Sequence, residues 1–375
     1  MQEEEARIGI SRGRVKGVSP GTDNTPAVGT WFKYMENSST GTGCLTPDEP
    51  STSCTDCGNS YAKFERCLKG WEAYEKAATS AEPHWFKDLL SLWRPSGHCS
   101  GTAGLRIAIR NGYLNFYRLG QSIARVACVS GELVADVHYK YVLGERPGYS
   151  GPLYLRLTTK GVFSRGTSVA TYEGPATLHQ WIAVAGEYAG DEKSIVDELV
   201  EKNDHVIDLE MALPAWALSK VAVRMDLVAI ENATVVFWEV KTVNDSRIRC
   251  KAEFEEDKSP HVLKQLANYR FFLEQDSHPE LIRVAYRDTA RILMDLRALA
   301  DKVGPTLALG PSIIAASKVD SLAVAPRAAL VVVDLPKDNK RKWKSWKSIH
   351  EGKLKGKIPM RVLERAGPLL FTGAL

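Results

Sequence analysis

The chain has 375 residues, a length that accommodates one large domain or two of modest size. Hydrophobic residues make up 44% and charged residues 25% of it, which excludes collagen-like, disulfide-dense and wholly disordered proteins. The sequence has no run of apolar residues long enough to span a bilayer, and its N-terminus has neither a basic leader nor an apolar core. We therefore expect a cytoplasmic protein without a transmembrane segment.

The net charge of +4 is distributed unevenly along the chain. Ten lysines and arginines lie between Lys337 and Arg361 against two acidic residues, a local balance of +8. Trp343 and Trp346 are interleaved with them, a pattern that suits contact with phosphates and bases. We expect this basic segment to bind nucleic acid, and the alternative is a solvated lysine-rich surface. The binding residues that we predict are Lys340, Arg341, Lys342 and Lys344.

The first half of the chain, residues 1–175, is predicted to form a β-rich N-terminal domain. Residues 1 to about 60 are rich in Gly, Ser, Thr, Asn and Pro, which favours long loops or a segment organised by a metal ion. Short helices are predicted over 61–78 and 83–93 from the helical spacing of aromatic residues and leucines. Strands are predicted over 105–110, 113–117, 122–129, 132–141 and 153–157, with a hairpin turn at Asn111-Gly112.

Helices and strands alternate in the second half, which we assign as a domain over 176–375. Helices are predicted over 177–188, 192–202, 260–274 and 288–303. Strands are predicted over 206–211, 221–230, 235–243 and 328–335. This order predicts an α/β domain with a mixed sheet and with helices packed on its faces.

Three charged residues interrupt two of these apolar strands. If Asn232-Ala233 is a two-residue hairpin loop, Asp226 lies directly opposite Glu239, and the strand period places Lys241 on the same face. Buried charges are unfavourable unless they are paired or bound to metal, and two close carboxylates favour a divalent, oxygen-seeking cation. The sequence therefore predicts a metal site, and the alternative is a structural ion pair of Lys241 with one of the acids.

The spacing of Asp226 from Glu239-Val240-Lys241 resembles that of the PD-(D/E)xK nuclease superfamily. Gln265 and Tyr269 lie four residues apart on the predicted 260–274 helix and resemble the Gln-x-x-x-Tyr motif of its RecB-like branch. The resemblance covers about residues 190–275. It implies a restriction-endonuclease-like mixed sheet flanked by helices and a metal-dependent deoxyribonuclease, in a setting of prokaryotic or phage DNA processing or defence.

The resemblance also implies roles for individual residues. Asp226, Glu239 and the Val240 carbonyl would bind Mg²⁺ or Mn²⁺, and Lys241 would orient the attacking water or stabilise the phosphate. Gln265 and Tyr269 share one helix face and would contact the nucleic-acid backbone or orient the lysine. RNA is not excluded as the partner. The alternative function is a nucleic-acid-binding or assembly module that keeps the fold without cleavage.

A further acidic residue often comes from the preceding helix in this superfamily. We assign it to Glu192, because Glu192 shares a stripe with the apolar residues that dock the predicted 192–202 helix on the sheet. Its position at the start of a helix is also favoured by the helix dipole, which is the alternative explanation for a glutamate there.

Four of the seven cysteines form a symmetric set. Nine residues separate Cys44 from Cys54, and nine separate Cys57 from Cys67, around a central Cys-x-x-Cys. A chelating pair with a thiolate on either side can form a tetrahedral Zn²⁺ site. We predict a structural zinc here, and the alternatives are an iron–sulfur cluster, as in some relatives of the RecB-like branch, and unbonded cysteines.

Overall fold

The structure, a computed structural model, describes residues 64–163, 171–213, 224–250, 260–319, 322–334, 340–364, 367 and 369–372. These residues belong to one unit of the chain that begins at Thr55. They form a mixed α/β structure in which helices flank two sheets, as predicted. Among the described helices, none is both long and apolar enough to cross a membrane.

The first sheet is antiparallel, and its strands follow one another in chain order from β1 to β5. Asn111-Gly112 connects β1 to β2 as predicted, with Arg110 paired to Tyr113. The elements of this region are α1 (Trp71–Thr79), α2 (Trp85–Ser91), β1 (Arg106–Arg110), β2 (Tyr113–Arg118), β3 (Gln121–Val129), β4 (Glu132–His138), α3 (Tyr139–Leu143) and β5 (Tyr154–Leu157).

The second sheet is mixed, with the strand order β11-β10-β8-β7-β6 and with β9 beside β8. Strands β6, β7 and β8 are antiparallel, whereas β10 runs parallel to both β8 and β11. The elements are α4 (Pro175–Glu187), α5 (Asp191–Lys202), β6 (Val206–Ala212), β7 (Arg224–Glu231), β8 (Thr234–Thr242), α6 (His261–Leu273), α7 (His278–Ala300), α8 (Pro311–Ala316), β9 (Ala323–Val324), β10 (Ala329–Val333), α9 (Lys340–Trp346), α10 (Gly352–Lys355) and β11 (Met360–Leu363).

Helices cover both faces of the second sheet. Leu199 of α5 belongs to a hydrophobic cluster with Val236 and Trp238 on one face of β8. Val235 and Phe237, on the opposite face, lie in a larger cluster with residues of α6 and α7. Because both faces of β8 are buried, a charged side chain on this strand needs a partner.

A two-residue turn at Asn232-Ala233 sets the register of β7 against β8. Both residues have left-handed φ angles, +48° and +59°, as a type I′ turn requires. The pairing runs from this turn to Leu227 opposite Trp238, which is the register predicted from the sequence.

The regular alternation of side chains between the two faces of the sheet is interrupted on β6 near Glu210 and on β7 near Asp226. Glu210 has φ +50°, which residues other than glycine rarely adopt. Leu209 lies in the cluster on the α5 side of the sheet, whereas Met211 lies in the larger cluster. On β7, Leu227 lies in the cluster on the α5 side and Met225 in the larger cluster. Regular alternation predicts that these two residues share a face, and in the structure they do not.

Other elements differ from their predicted bounds. Helix α7 begins at His278 rather than at 288, because Pro279 lies in its first turn, where the missing N–H needs no helical partner. The basic segment forms α9, a π-helical turn over Lys347–Glu351 and α10, and β11 follows it. The domain boundary near residue 175 stays a prediction, and residues from both sides of it share the larger hydrophobic cluster.

Candidate active site

Three carboxylates surround the ammonium group of Lys241, whose side chain is 1% exposed. Its Nζ donates to Oε1 of Glu239 and, at 2.8 Å, to the carbonyl oxygen of Val240. Oδ2 of Asp226 and Oε1 of Glu192 each lie 3.7 Å from the same Nζ. The structure thus brings together the four charged residues predicted from the sequence, with Glu239 and Lys241 buried and Glu192 and Asp226 half-buried.

The β7–β8 hairpin holds Asp226 against the backbone of β8. Asp226 lies one residue beyond the last pair of the ladder, Leu227 with Trp238, on the side away from the turn. Its Oδ2 accepts the backbone N–H of Val240 at 2.7 Å. The Val240 carbonyl, predicted as a metal ligand, accepts from Lys241 instead in this structure. One carboxylate oxygen and one carbonyl oxygen of the two strands therefore converge on the same ammonium group.

Gln265 and Tyr269 hold the carboxylate of Glu239 from α6. Nε2 of Gln265 donates to Oε1 of Glu239 at 2.8 Å, and the Tyr269 hydroxyl lies 3.0 Å from Oε2. The hydroxyl also contacts the carbonyl of Arg224. Tyr269 was predicted to contact nucleic acid, but its side chain is fully buried and its hydroxyl is engaged by protein groups. The geometry therefore makes Gln265 and Tyr269 positioning residues for Glu239.

A short 3₁₀ turn after β8, Ser246–Ile248, adds two charged residues that sequence reasoning missed. Arg247 contacts Oε2 of Glu192 at 3.0 Å and Oδ2 of Asp245 at 2.6 Å. Asp245 also caps the turn by accepting the backbone N–H of Arg247 at 2.8 Å. The helix-start position of Glu192 is thus tied to the end of β8 through Arg247.

A second missed group lies on the neighbouring strand β6. Glu210, at the left-handed position, has Oε1 3.5 Å from Nζ of Lys193 and Oε2 3.6 Å from a guanidinium nitrogen of Arg224. Burial raises the pKa of Asp226, Lys241 opposes the rise, and Glu210 adds to it. Glu210 therefore acts electrostatically on the site.

Burial dominates the titration of the clustered acids. It raises the pKa of Glu239 to about 8, and repulsion from Asp226 adds to this rise although Lys241 and Tyr269 oppose it. Burial also raises the pKa of Glu192. Burial alone would lower the pKa of Lys241, but the surrounding carboxylates outweigh it and raise the pKa. The acids are thus poorly compensated by their protein partners.

We call the residues joined by these ion pairs the carboxylate cluster; its members are Glu192, Asp226, Glu239, Lys241, Asp245 and Arg247. Four acids against two bases leave a charge of −2 when all are ionised. Within the described residues, no group of three or more His, Cys, Asp or Glu side chains is arranged as a ready metal site. The ammonium of Lys241 lies among the oxygens that would otherwise face one another.

The basic segment contacts Cys250, which follows Arg247 of the carboxylate cluster by three residues. The backbone N–H of Cys250 donates to Nδ1 of His350 at 3.0 Å. Lys344 is exposed, as its predicted role requires, while the side chains of Lys340, Arg341 and Lys342 lie outside the described ones. Trp346 is buried in the larger hydrophobic cluster, so it anchors the segment rather than meeting bases as its interleaving with lysines predicted.

The structure describes one of the four cysteines in the predicted zinc set. Cys67 is half-buried, and its Sγ lies 3.3 Å from Oδ1 of Asn111. Cys44, Cys54 and Cys57 lie outside the described residues, so the zinc site stays a prediction.

Comparison of the chain with protein-family models, with curated proteins and with solved structures found no match.

Proposed function

We propose that this protein is a metal-dependent deoxyribonuclease with a catalytic centre of the PD-(D/E)xK kind. The observation that carries the proposal is the convergence of Asp226, Glu239 and Lys241 with Gln265 and Tyr269 at one buried place. These residues come from β7, β8 and α6, and their spacing in the sequence is that of the PD-(D/E)xK and Gln-x-x-x-Tyr motifs.

The arrangement of elements around the carboxylate cluster supports a restriction-endonuclease-like core. Helix α5 is followed by the antiparallel strands β6, β7 and β8, then by helices and by β10 parallel to β8. The cluster lies where β7 and β8 extend beyond their paired stretch, between the helix that carries Glu192 and the helix that carries Gln265. Glu192 and Asp226, whose side chains are 34% and 16% exposed, are the carboxylates of the cluster that a phosphodiester would approach first.

The donor set fits Mg²⁺ or Mn²⁺ in kind and in charge. Asp226, Glu239 and Glu192 provide carboxylate oxygens and Val240 a carbonyl oxygen, which are the ligand types that these cations prefer. Burial raises the pKa of Glu239 and repulsion from Asp226 adds to this rise, so a cation bound among these acids would offset the repulsion. When bound, such a cation supplies a water molecule of lowered pKa and offsets charge on the phosphate.

Lys241 and its neighbours perform distinct tasks in this proposal. Lys241 keeps a positive charge near the reacting phosphate, because the acids around it raise the pKa of its ammonium group. Gln265 and Tyr269 fix both oxygens of Glu239, so this carboxylate cannot rotate freely. Arg247 similarly fixes one oxygen of Glu192.

The proposal is tested by incubating linear, circular and single-stranded DNA with the full chain and Mg²⁺ or Mn²⁺. We expect cleavage that EDTA stops and that Lys241→Ala lowers by about 10³-fold, since one charge-stabilising donor is worth two to three orders of magnitude. Lys318→Ala, an exposed lysine on the loop after α8, is the matched control and should cleave like the wild type.

Two results would contradict the proposal. One is equal cleavage by the wild type and the Lys241→Ala protein, which would indicate a contaminating nuclease. The other is binding of DNA without cleavage of any of these substrates by the wild type, which would favour the binding or assembly module. Asp226→Asn, which keeps an oxygen for the Val240 N–H, provides a second inactive variant if Lys241→Ala fails to fold.

A further inference from the structure

The outer face of β3, β4 and β5 carries aromatic rings and cations, whereas Ala108 of β1 and Tyr117 of β2 are buried in the hydrophobic cluster with α5. On the inner face of β3, β4 and β5, Val126, Ala135 and Leu155 are buried in the larger cluster. On the outer face, Arg125 of β3 is paired with Asp136 of β4, and His138, two residues further along β4, is paired with Tyr154 of β5. These outer residues are half-buried, so their rings and charges are accessible from solvent.

We call this surface the aromatic face; its residues are Arg125, His138, Tyr139, Lys140, Tyr154 and Tyr188. The guanidinium of Arg125 lies 4.6 Å from the centre of the Tyr154 ring, and Nζ of Lys140 lies 3.5 Å from that of Tyr188. The His138 ring meets Tyr154 edge-on at 5.2 Å. Its Nδ1 accepts the backbone N–H of Lys140, which fixes the ring at the start of α3.

The acidic groups near the aromatic face are engaged by the protein. Asp136 binds Arg156 through two hydrogen bonds of 2.9 and 3.1 Å. Glu145 accepts the Tyr188 hydroxyl at 2.9 Å. Positive charge and ring surface therefore dominate what this face presents to a ligand. The combination of cations with rings on which bases stack is the physical basis of single-strand binding.

The aromatic face is continuous with the candidate active site through Glu210 and Arg224. Nε2 of Gln121, at the start of β3, donates to the carbonyl of Tyr188 at 3.1 Å. Nζ of Lys193 donates to the carbonyl of the adjacent Gly120 at 3.2 Å and lies 3.5 Å from Oε1 of Glu210. Arg224 pairs with Glu210, and its carbonyl contacts Tyr269 of the site. A strand lying on this face therefore leads toward Asp226, two residues along β7 from Arg224.

We infer that the aromatic face binds single-stranded DNA and guides it to the carboxylate cluster. Rings on an open sheet face stack only with bases that are not already stacked in a duplex, which selects a single strand. The choice of DNA over RNA rests on the proposed function. Binding at this face does not depend on metal or on hydrolysis, so it is measured separately from cleavage.

The test measures the anisotropy of fluorescein-labelled oligothymidylate of about 20 nucleotides with the full chain in EDTA, where no cleavage is expected. Tyr154→Leu and Tyr188→Leu each remove a ring and are expected to weaken binding about 5- to 100-fold, the range for loss of one stacked base. Tyr154→Phe keeps the ring and should bind within about twofold of the wild type. Phe271→Leu, an aromatic residue on α6 that is 57% exposed, is the control for a ring elsewhere.

Three outcomes would overturn the inference. The first is binding by both leucine variants that equals wild-type binding, or no binding by the wild type. The second is an equal loss of affinity for a duplex of the same length, since this would indicate a general electrostatic surface. The third is tighter binding of oligouridylate with the same losses, which would assign the face to RNA. Arg125→Gln removes a charge and leaves the rings in place. It should weaken binding less than Tyr154→Leu does, and its loss of affinity should be larger at low salt than at high salt.

Discussion

Two of the buried groups of charged side chains among the described residues differ in charge balance. In the first, Asp208 of β6 accepts from Arg110 of β1 at 2.7 Å, with Arg66 at 3.6 Å and the Tyr286 hydroxyl at 3.2 Å. One carboxylate thus meets two guanidinium groups, and Arg110 also donates to the backbone of β6. In the carboxylate cluster, by contrast, acids exceed bases.

The difference separates a structural ion pair from a candidate site. Arg110 joins the two sheets by donating to the Asp208 carboxylate and to the Leu209 carbonyl, which are the hydrogen bonds that a buried structural pair requires. Lys241 offers one compact charge to three acids, so repulsion among these acids persists. A buried charge alone is weak evidence of function, whereas an excess of buried acid needs an external cation or protons to balance it.

The largest effect on stability is expected from Asp208→Ala. Removing this carboxylate leaves Arg110 and Arg66 buried without their acidic partner, and breaking a buried pair in this way costs about 3 to 5 kcal/mol. Urea unfolding should show the loss, with no change in affinity for divalent cations. A loss below about 1 kcal/mol would mean that the two sheets do not depend on this pair.

An effect of opposite sign is expected from Glu239→Gln in EDTA. The folded-state pKa of Glu239, about 8, lies above its ordinary value of 4.5, so the wild type loses stability as the pH rises from about 4.5 to about 8. The variant lacks this titration and should be about 1 to 3 kcal/mol more stable near pH 7. Unfolding free energies measured across this pH range check the prediction, and parallel curves for the two proteins would refute it.

The sequence predicts those contacts of the two clusters that follow from turn type, strand period or helical spacing. The turn at Asn232-Ala233 set the predicted register as far as Leu227 opposite Trp238, and helical spacing placed Gln265 and Tyr269 together. Asp226 lies beyond this paired stretch, where the regular strand period ends, and it accepts the N–H of Val240. Those rules act over a few residues and have simple periods.

The remaining contacts depend on features without a period. Arg247 contacts Glu192 from a single 3₁₀ turn. Glu210 itself has a left-handed φ angle inside a strand, and this conformation sets the direction of its side chain. Asp208 meets Arg110 only because two sheets pack together. The local signal for Asp245 and Arg247 is an Asp-x-Arg sequence three residues after the end of β8, and its capping hydrogen bond explains the pattern.

A smaller effect is expected from Tyr269→Phe. The Tyr269 hydroxyl lies 3.0 Å from Oε2 of Glu239 and opposes the rise of its pKa, so its loss should favour the protonated, non-binding form. One hydrogen bond to a charged group is worth about 1.5 to 3 kcal/mol, so we expect Mn²⁺ affinity near pH 7 to fall by about tenfold or more. Calorimetric titration measures this, and an unchanged affinity would remove Tyr269 from its positioning role.

The smallest effect is expected at the turn that sets the register. Ala233 has φ +59°, which is strained for alanine and free of strain for glycine. Ala233→Gly should therefore raise the free energy of unfolding by about 0.5 to 1 kcal/mol without altering metal affinity. A destabilised variant would show that the turn is not of type I′.

The central claim, that the excess charge of the carboxylate cluster serves a divalent cation, is tested most directly by Mn²⁺ binding. Electron paramagnetic resonance of the full chain titrated with Mn²⁺ near pH 8 should detect binding in the wild type and in Lys318→Ala. Asp226→Asn should lose it, and binding to the wild type should weaken as the pH falls below about 8, because Glu239 then takes up a proton. Equal binding by the wild type and Asp226→Asn, or none by the wild type, would contradict the account.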